Sequence, residues 1–159
     1  MQRLAIFAKS YQGQLKKGVE NSSEYIRPFL YQYGIYTKTD DTIETEKFDT
    51  KEGLIELYEK VADYQKNQNI PFIFGGDHHI AAATVAASIK NYNSDFKLLW
   101  IDAHPDINTM DSSESQNKHG MPIASLMHLM DPWIPNVPKL RPEQIIYFGI
   151  RSVDSYEEK

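Results

Sequence analysis

The chain contains no cysteine among its 159 residues. Disulfide bonds, a thiolate nucleophile and zinc sites built from cysteine sulfur are therefore excluded, so a metal ion must be held by oxygen and nitrogen ligands. Long apolar runs are also missing, because none reaches the roughly 18 residues of a membrane span. The first residues lack the apolar core of a signal peptide. The sequence thus predicts a cytoplasmic protein that makes no membrane contact.

An excess of positive charge is missing as well. Lys and Arg number 17 against 22 Asp and Glu, which gives a formal net charge of −5. Because phosphate binding favours a basic face, we expect no nucleic-acid partner. The apolar fraction of 41% and the charged fraction of 25% are ordinary for a folded protein, and the length suits one domain.

Short apolar runs alternate with segments of helical spacing. Buried strands are predicted at residues 4–8, 71–74, 97–101 and 145–150, with a shorter strand at 35–37. Helices are predicted at 80–89 and 121–130. A further helix is predicted to begin after a cap at Thr50, with an apolar face formed by Leu54, Ile55, Leu57, Tyr58, Val61 and Tyr64. Another is predicted around the apolar residues Tyr25, Ile26, Phe29 and Leu30. Residues 40–49 are predicted to be a surface loop and residues 131–142 an irregular connector. This alternation predicts an α/β fold around a mainly parallel sheet.

Three polar clusters follow three of the predicted strands, at residues 75–79, 102–106 and 151–154. The carboxyl ends of parallel strands meet at one edge of a sheet, and ligands bind at that edge in open α/β folds. We therefore expect these clusters to converge in space although they are far apart in sequence.

The cluster at 102–106 carries Asp102, His104 and Asp106 at alternate positions. In extended backbone these side chains project to one side. Carboxylate oxygen with imidazole nitrogen suits manganese, magnesium or iron. A carboxylate can bridge two cations, and a two-metal site generates hydroxide at neutral pH. The alternative is an ordinary turn that Asp102 caps.

The cluster at 75–79 begins with two glycines, which let the backbone approach a ligand closely. His78 is a candidate metal ligand. Asp77 either orients an imidazole or caps the following helix, and a capped glycine turn without a metal is the alternative. The role of His79 stays open.

The segment after Asp106 contains small polar side chains, namely Asn108, Ser113, Ser115 and Asn117. Such groups donate hydrogen bonds to a carboxylate without adding a full charge, although a solvated loop has the same composition. His119 precedes Gly120 and is either part of a turn or a proton shuttle, a role that histidine side chains can play beside a metal-bound hydroxide.

Four motifs, GGDHH, DAHPDINT, the S-x-S-x-N-x-H-G-x-P layout and GIRSVD, together resemble the arginase, or ureohydrolase, family of binuclear manganese enzymes. The resemblance implies a three-layer α/β/α fold with a mainly parallel sheet. It also implies hydrolysis of L-arginine to L-ornithine and urea, with two Mn²⁺ ions as cofactor. The alternatives are an agmatinase or another guanidino-compound hydrolase, and a non-catalytic metal-binding or arginine-binding relic or regulatory fragment.

The resemblance also implies roles for single residues. His78 and Asp106 would bind one manganese ion, His104 the other, and Asp102 would bridge both. Asp106 would in addition accept a hydrogen bond from the attacking hydroxide, and His119 would shuttle protons. The substrate contacts implied by matched position are Asn108, Ser113, Ser115 and Asn117 around the α-carboxylate and Asp154 near the α-amino group, which favours arginine over agmatine.

The sequence departs from the family pattern in three places. His79 stands where the family usually has serine, and Pro105 stands where it usually has a smaller or more polar residue. The family's later S-x-D-x-D-x-x-D-P segment, which supplies two further metal-binding aspartates, is absent. Residues 1–159 are therefore predicted to be the N-terminal part of a single arginase-like domain, truncated, with a complementary C-terminal half or a homo-oligomer as partner.

Overall fold

A computed structural model describes residues 3–14, 16–34, 40–43, 45–93 and 95–158. The strands are β1 Arg3–Ala8, β2 Asp40–Ile43, β3 Ile70–Gly75, β4 Leu98–Ile101 and β5 Ile145–Phe148. The α-helices are α1 Ser22–Gln32, α2 Glu52–Lys66, α3 Ala81–Tyr92 and α4 Pro122–Leu126. Single 3-10 turns at His78–Ile80 and Lys118–Gly120 lead into α3 and α4.

The strands form two parallel sheets. One has the order β2-β1-β3, and the other pairs β4 with β5. The predicted parallel arrangement is therefore confirmed. Within the described strands no ladder joins β3 to β4, and a cleft of about 300 Å³ separates them, lined by residues of β3, β4, α2 and α3.

Helices cover both faces of the first sheet. Alternate residues of β1 point to opposite sides, as strand geometry requires. Ile6 and Ala8 join the larger core with α2 and α3, whereas Ala5 and Phe7 pack on Leu30 of α1. This arrangement confirms the α/β fold with three layers.

The helix layer formed by α2 and α3 holds most of the core. Leu57 and Val61 of α2 are buried, as the helical spacing predicts, and so are Ala83 and Ala87 of α3. Alanine has a small side chain, so the two helices approach closely, and each buried apolar side chain contributes through the surface that it withdraws from water. The turn that carries His78 leads directly into α3, so the packing of α3 in this core helps to position that turn.

Several sequence predictions need correction. Residues 40–49 are not only a loop, because Asp40–Ile43 pairs in parallel with β1 and a 3-10 turn follows. The helix predicted at 121–130 ends at Leu126, shortly before His128 adopts a φ of 57°. The predicted strand at 35–37 falls outside the described residues.

Burial is also less complete than the apolar runs predict. In α1, Tyr25 is 74% exposed and Phe29 is 60% exposed, so only part of the predicted face packs. In the second sheet, Ile101 and Phe148 are 70% and 67% exposed. One face of β4 and β5 therefore stays uncovered by the described residues. None of the helices that the structure describes is long and apolar enough to cross a membrane.

Candidate metal centre and substrate cleft

The polar clusters converge at the carboxyl ends of the strands. His78 begins the 3-10 turn after β3, and Asp102 directly follows β4. The turn after β3 depends on Gly76, because a Cβ there would lie 1.8 Å from the backbone oxygen of Ser10. The loop after β1 therefore presses against the start of the metal-binding segment.

Three of the predicted ligands form one cluster. Nδ1 of His78 lies 3.3 Å from Oδ2 of Asp102 and 3.2 Å from Oδ2 of Asp106. Potential ligand atoms of the three residues all lie within 4.8 Å of one another. Two carboxylates and one imidazole around one point can hold a divalent cation such as manganese.

Asp106 carries the strongest sign that a cation fits here. Its Oδ2 is buried and accepts no hydrogen bond of acceptable geometry, in spite of the nearby His78 ring. An unsatisfied buried carboxylate oxygen is costly unless something positive pairs with it. The residue is held in place from behind, since its backbone oxygen accepts from the amides of Ile123 and Ala124 at the start of α4, 3.1 and 3.3 Å away. Its φ of 55° aims the side chain inward from a left-handed backbone.

His78 is oriented by a ring contact and by charge. Its imidazole stacks on Trp100 at a centroid distance of 4.8 Å. Burial lowers the pKa of His78, but the negative charges of the nearby Asp106 and Asp102 outweigh it, so the pKa is raised overall. A cation must displace the proton that this environment favours, and binding therefore strengthens as the pH rises.

His104 lies beside the cluster, and the structure does not bring it into the group of three. Its Nδ1 is 3.4 Å from Oδ1 of Asp102, and its side chain is 56% exposed. Its backbone amide donates to the same oxygen over 2.9 Å, so Asp102 both caps this turn and faces His78. The two carboxylate oxygens of Asp102 thus face different histidines, an arrangement compatible with a bridging role.

A cleft of about 410 Å³ opens next to Asp106 and His104. Every substrate contact predicted from the sequence lines it: Asn108, Ser113, Ser115, Asn117 and Asp154, together with His119. The amide nitrogen of Asn108 donates to Oδ2 of Asp154 over 2.6 Å. This hydrogen bond is the main cause of the lowered pKa of Asp154. The cleft is therefore lined both by neutral polar side chains and by carboxylates, among them the hydrogen-bonded pair Asn108 and Asp154.

His119 is fixed by the loop after β1. Its amide donates to the backbone oxygen of Gly13 over 3.0 Å, and its Nδ1 lies 3.3 Å from the same oxygen. The amide of Gly13 in turn donates to Oδ2 of buried Asp77 over 2.7 Å. Asp77 also accepts from the amide and the ring of His79. It therefore caps the turn and orients an imidazole, and that imidazole belongs to His79.

Sequence reasoning missed several groups of this site. Ser112 donates to the side-chain oxygen of Asn108 over 2.7 Å, and a polar loop gives no sign of which serine does so. The hydroxyl of Tyr147 donates to the backbone oxygen of Pro105 over 2.9 Å, and burial together with the charge of Asp106 raises the pKa of Tyr147 to about 12. Trp100 was predicted only as a strand residue. The position of Gly13 depends on a contact 64 residues away in sequence.

A parallel α/β fold that gathers two carboxylates and an imidazole at the strand ends, beside a polar cleft, defines an α/β protein with a candidate divalent-metal centre at the edge of its sheets. Comparison with known proteins then identifies the family. The model of the arginase family matches residues 5–159, and the chain belongs to that family.

Two curated relatives show the extent of the similarity. The arginase of Saccharomyces cerevisiae is 41% identical over 112 residues, which are 65% of this chain and 33% of the yeast protein. The arginase of Bacillus subtilis is 37% identical over 111 residues, or 67% of this chain and 37% of that protein. The aligned part thus spans only about a third of these relatives.

Solved structures agree on the fold. The arginase from Bacillus caldovelox superposes with a TM-score of 0.85 at 26% identity, covering 99% of this chain and 60% of that one. The Entamoeba histolytica arginase, solved in complex with L-ornithine, gives 0.83 at 29% identity with the same coverage. A Trypanosoma cruzi formiminoglutamase, at 16% identity, shares the fold alone.

Proposed function

We propose that the complete protein to which this chain belongs hydrolyses L-arginine to L-ornithine and urea with manganese as cofactor. The observation that carries the proposal is the shared cleft. Asp106 and His104, which are predicted to bind metal, line the same cavity as the five polar residues predicted to hold an amino acid. A substrate that contacts those residues therefore lies next to the metal centre.

The cleft suits the two charged groups of an α-amino acid. Asn108, Ser113 and Asn117 offer uncharged donors to a carboxylate, and Asp154 offers a negative charge to an ammonium group. Agmatine has no carboxylate and would leave the donors without a partner. The L-ornithine bound to the Entamoeba histolytica relative supports an amino-acid ligand for this kind of site.

The residues divide the chemistry between them. His78, Asp102 and Asp106 would hold a manganese ion, with His104 beside them for a second. When bound, the metal lowers the pKa of water so that the nucleophile is available at neutral pH. Water would add through its oxygen to the guanidinium carbon, the bond from that carbon to Nε of arginine would break, and the two water protons would end on the departing amine. His119, on the cleft wall, would relay one of these protons.

The separation of the two sheets supports the proposal that a complementary segment completes the fold. Among the described strands, none pairs with β3 or β4 on the side of the cleft between them, and β4 and β5 expose Ile101 and Phe148. Unpaired strand edges and uncovered apolar surface favour association. A complementary segment that adds strands at this cleft would also bring the further metal-binding aspartates that the family resemblance implies. A homo-oligomer and a cytoplasmic location stay predictions from the sequence.

A urea assay with Mn²⁺ tests the proposal. The 159-residue chain is incubated with L-arginine or agmatine, alone and together with the co-expressed remainder of an arginase domain. We expect urea from arginine when the remainder is supplied. A preference for agmatine would move the proposal to another guanidino-compound hydrolase, and arginine binding without urea would make the chain a non-catalytic relic.

A further inference from the structure

A second cleft lies behind the metal centre, on the far side of the segment that carries His78. Its volume is about 370 Å³, within the range of roughly 300–1,000 Å³ typical of small-molecule sites. We call it the tryptophan cleft. Its buried floor consists of Phe48, Leu54, His79 and Trp133, and exposed Lys51 and Lys118 stand at its rim.

His79 gives this floor a polar ring nitrogen. The residue is 2% exposed, and its Nδ1 lies 2.6 Å from Oδ1 of Asp77. An ionised carboxylate only accepts hydrogen bonds, so Nδ1 is the donor and Nε2 is the ring nitrogen that remains. No hydrogen bond joins Nε2 to the part of the chain that the structure describes. A ligand hydroxyl, which can both donate and accept, would satisfy it.

The other walls define the rest of the ligand. The rings of Phe48 and Trp133 each meet the His79 imidazole edge to face, at 5.9 and 6.2 Å between centroids. They provide an aromatic surface that suits a flat ring. The opening carries two positive charges, from Lys51 and Lys118, and one negative charge, from Asp131, so its net charge is positive. A carboxylate is the group that this charge recognises.

We propose that the tryptophan cleft binds a small aromatic acid that carries a hydroxyl group, and that its occupancy is transmitted to the metal centre. Three residues that line the tryptophan cleft are each adjacent in the sequence to a residue of the metal centre, to His119 or to a residue of the loop that positions His119. Gln12 precedes Gly13, whose backbone oxygen holds His119, and Lys118 precedes His119 itself. His79 follows His78. Adjacent residues of the same three segments therefore line the tryptophan cleft on one side and position groups of the metal centre and substrate cleft on the other.

The proposal goes beyond arginine hydrolysis and does not depend on it, because binding can be measured on a chain that makes no urea. The probe is 4-hydroxyphenylacetate, which combines an aromatic ring, a carboxylate and a phenolic hydrogen. It is titrated into the ¹⁵N-labelled chain and followed by NMR. We expect saturable shifts at Lys118, His79 and the indole N–H of Trp133, with Gly13 and His119 shifting on the same curve.

Variants at the rim test the charge recognition without disturbing the buried floor. Lys51→Met and Lys118→Met should each weaken binding about fivefold, the effect of roughly 1 kcal/mol for a partly exposed charge pair. Lys139→Met, an equally exposed lysine outside the cleft, is the matched control and should leave binding unchanged. The neutral amide of the probe should bind more weakly than the acid.

The outcomes separate cleanly. Shifts that do not saturate at millimolar probe, or that fall on the substrate cleft around Asn108, overturn the site. Equal binding by the native chain and both rim variants overturns the assignment of an acid. Saturable binding that leaves the signals of Gly13 and His119 unmoved overturns the transmission to the metal centre.

Discussion

Asp77 is the residue on which the loop after β1 and the turn after β3 both depend, and its replacement by asparagine gives a stringent test. The side chain is 4% exposed and accepts three hydrogen bonds, from the amide of Gly13 at 2.7 Å, the amide of His79 at 3.0 Å and the ring of His79 at 2.6 Å. Burial raises the pKa of Asp77, but the hydrogen bonds and charge of His79 and the amide of Gly13 have the larger combined effect, so the pKa is lowered overall. The carboxylate is therefore the form that the fold stabilises.

Asparagine retains one oxygen for the two contacts at Oδ1 and turns its NH₂ group toward the amide of Gly13. Two donors then face each other, and an unsatisfied buried donor costs about 1–3 kcal/mol. The ring contact of His79 also loses its charged acceptor, at about 1 kcal/mol. We expect Asp77→Asn to lower the free energy of unfolding by about 3 kcal/mol, or the Tm by about 6–12 °C for a chain of this size.

Urea denaturation followed by tryptophan fluorescence measures this loss. Asp63→Asn, at an exposed position of α2, is the control and should change the free energy of unfolding by less than about 0.5 kcal/mol. If Asp77→Asn unfolds at the same urea concentration as the native chain, the three hydrogen bonds do not hold the two loops together and the account of His119 positioning is wrong.

Four further predictions concern the metal centre and the cleft. Asp106→Asn should weaken Mn²⁺ binding by at least the 10–100-fold typical of losing an outer partner, measured by calorimetry, while the Asp63→Asn control binds normally. In the complete protein His119→Asn should lower kcat for urea release by about 10²–10⁴-fold, and an unchanged kcat would remove it as proton donor. Asn108→Ala should raise the pKa of Asp154 toward its ordinary value in a carboxyl NMR titration, because the amide of Asn108 is the main group that lowers it. Since the folded pKa of Tyr147 is about 12 against an ordinary 10.0, stability should fall as the pH rises above 10, and Tyr147→Phe should flatten that fall in unfolding midpoints.

The strands and helices with strong apolar patterns were predictable from the sequence. β1, β3, β4 and β5 all fall on the predicted apolar runs, and α2 and α3 on the predicted helical spacing. The strand at Asp40–Ile43 was not, since its residues are mostly polar and its conformation follows from pairing with β1. Parallel pairing joins segments distant in sequence, and local composition carries little information about it.

The candidate site was likewise predictable from the sequence only in part. Alternation of Asp102, His104 and Asp106 and their place after a strand predicted the cluster, and the structure gathers Asp102 and Asp106 around His78. The depth of each side chain depended on tertiary contacts, which leave His104 more than half exposed. The partner of Asp77 was likewise invisible to sequence reasoning, because either neighbouring imidazole satisfies the same motif and only the fold selects His79.

Because the strands form two separate sheets, a metal ion at this centre would also connect the two sheets. His78 belongs to the segment that ends one sheet, whereas Asp102 and Asp106 belong to the segment that ends the other. A cation coordinated by all three would act as a crosslink between two parts that share no backbone ladder within the described strands. The free energy of coordination then resists their separation. Movement of one sheet relative to the other would then require release of the ion.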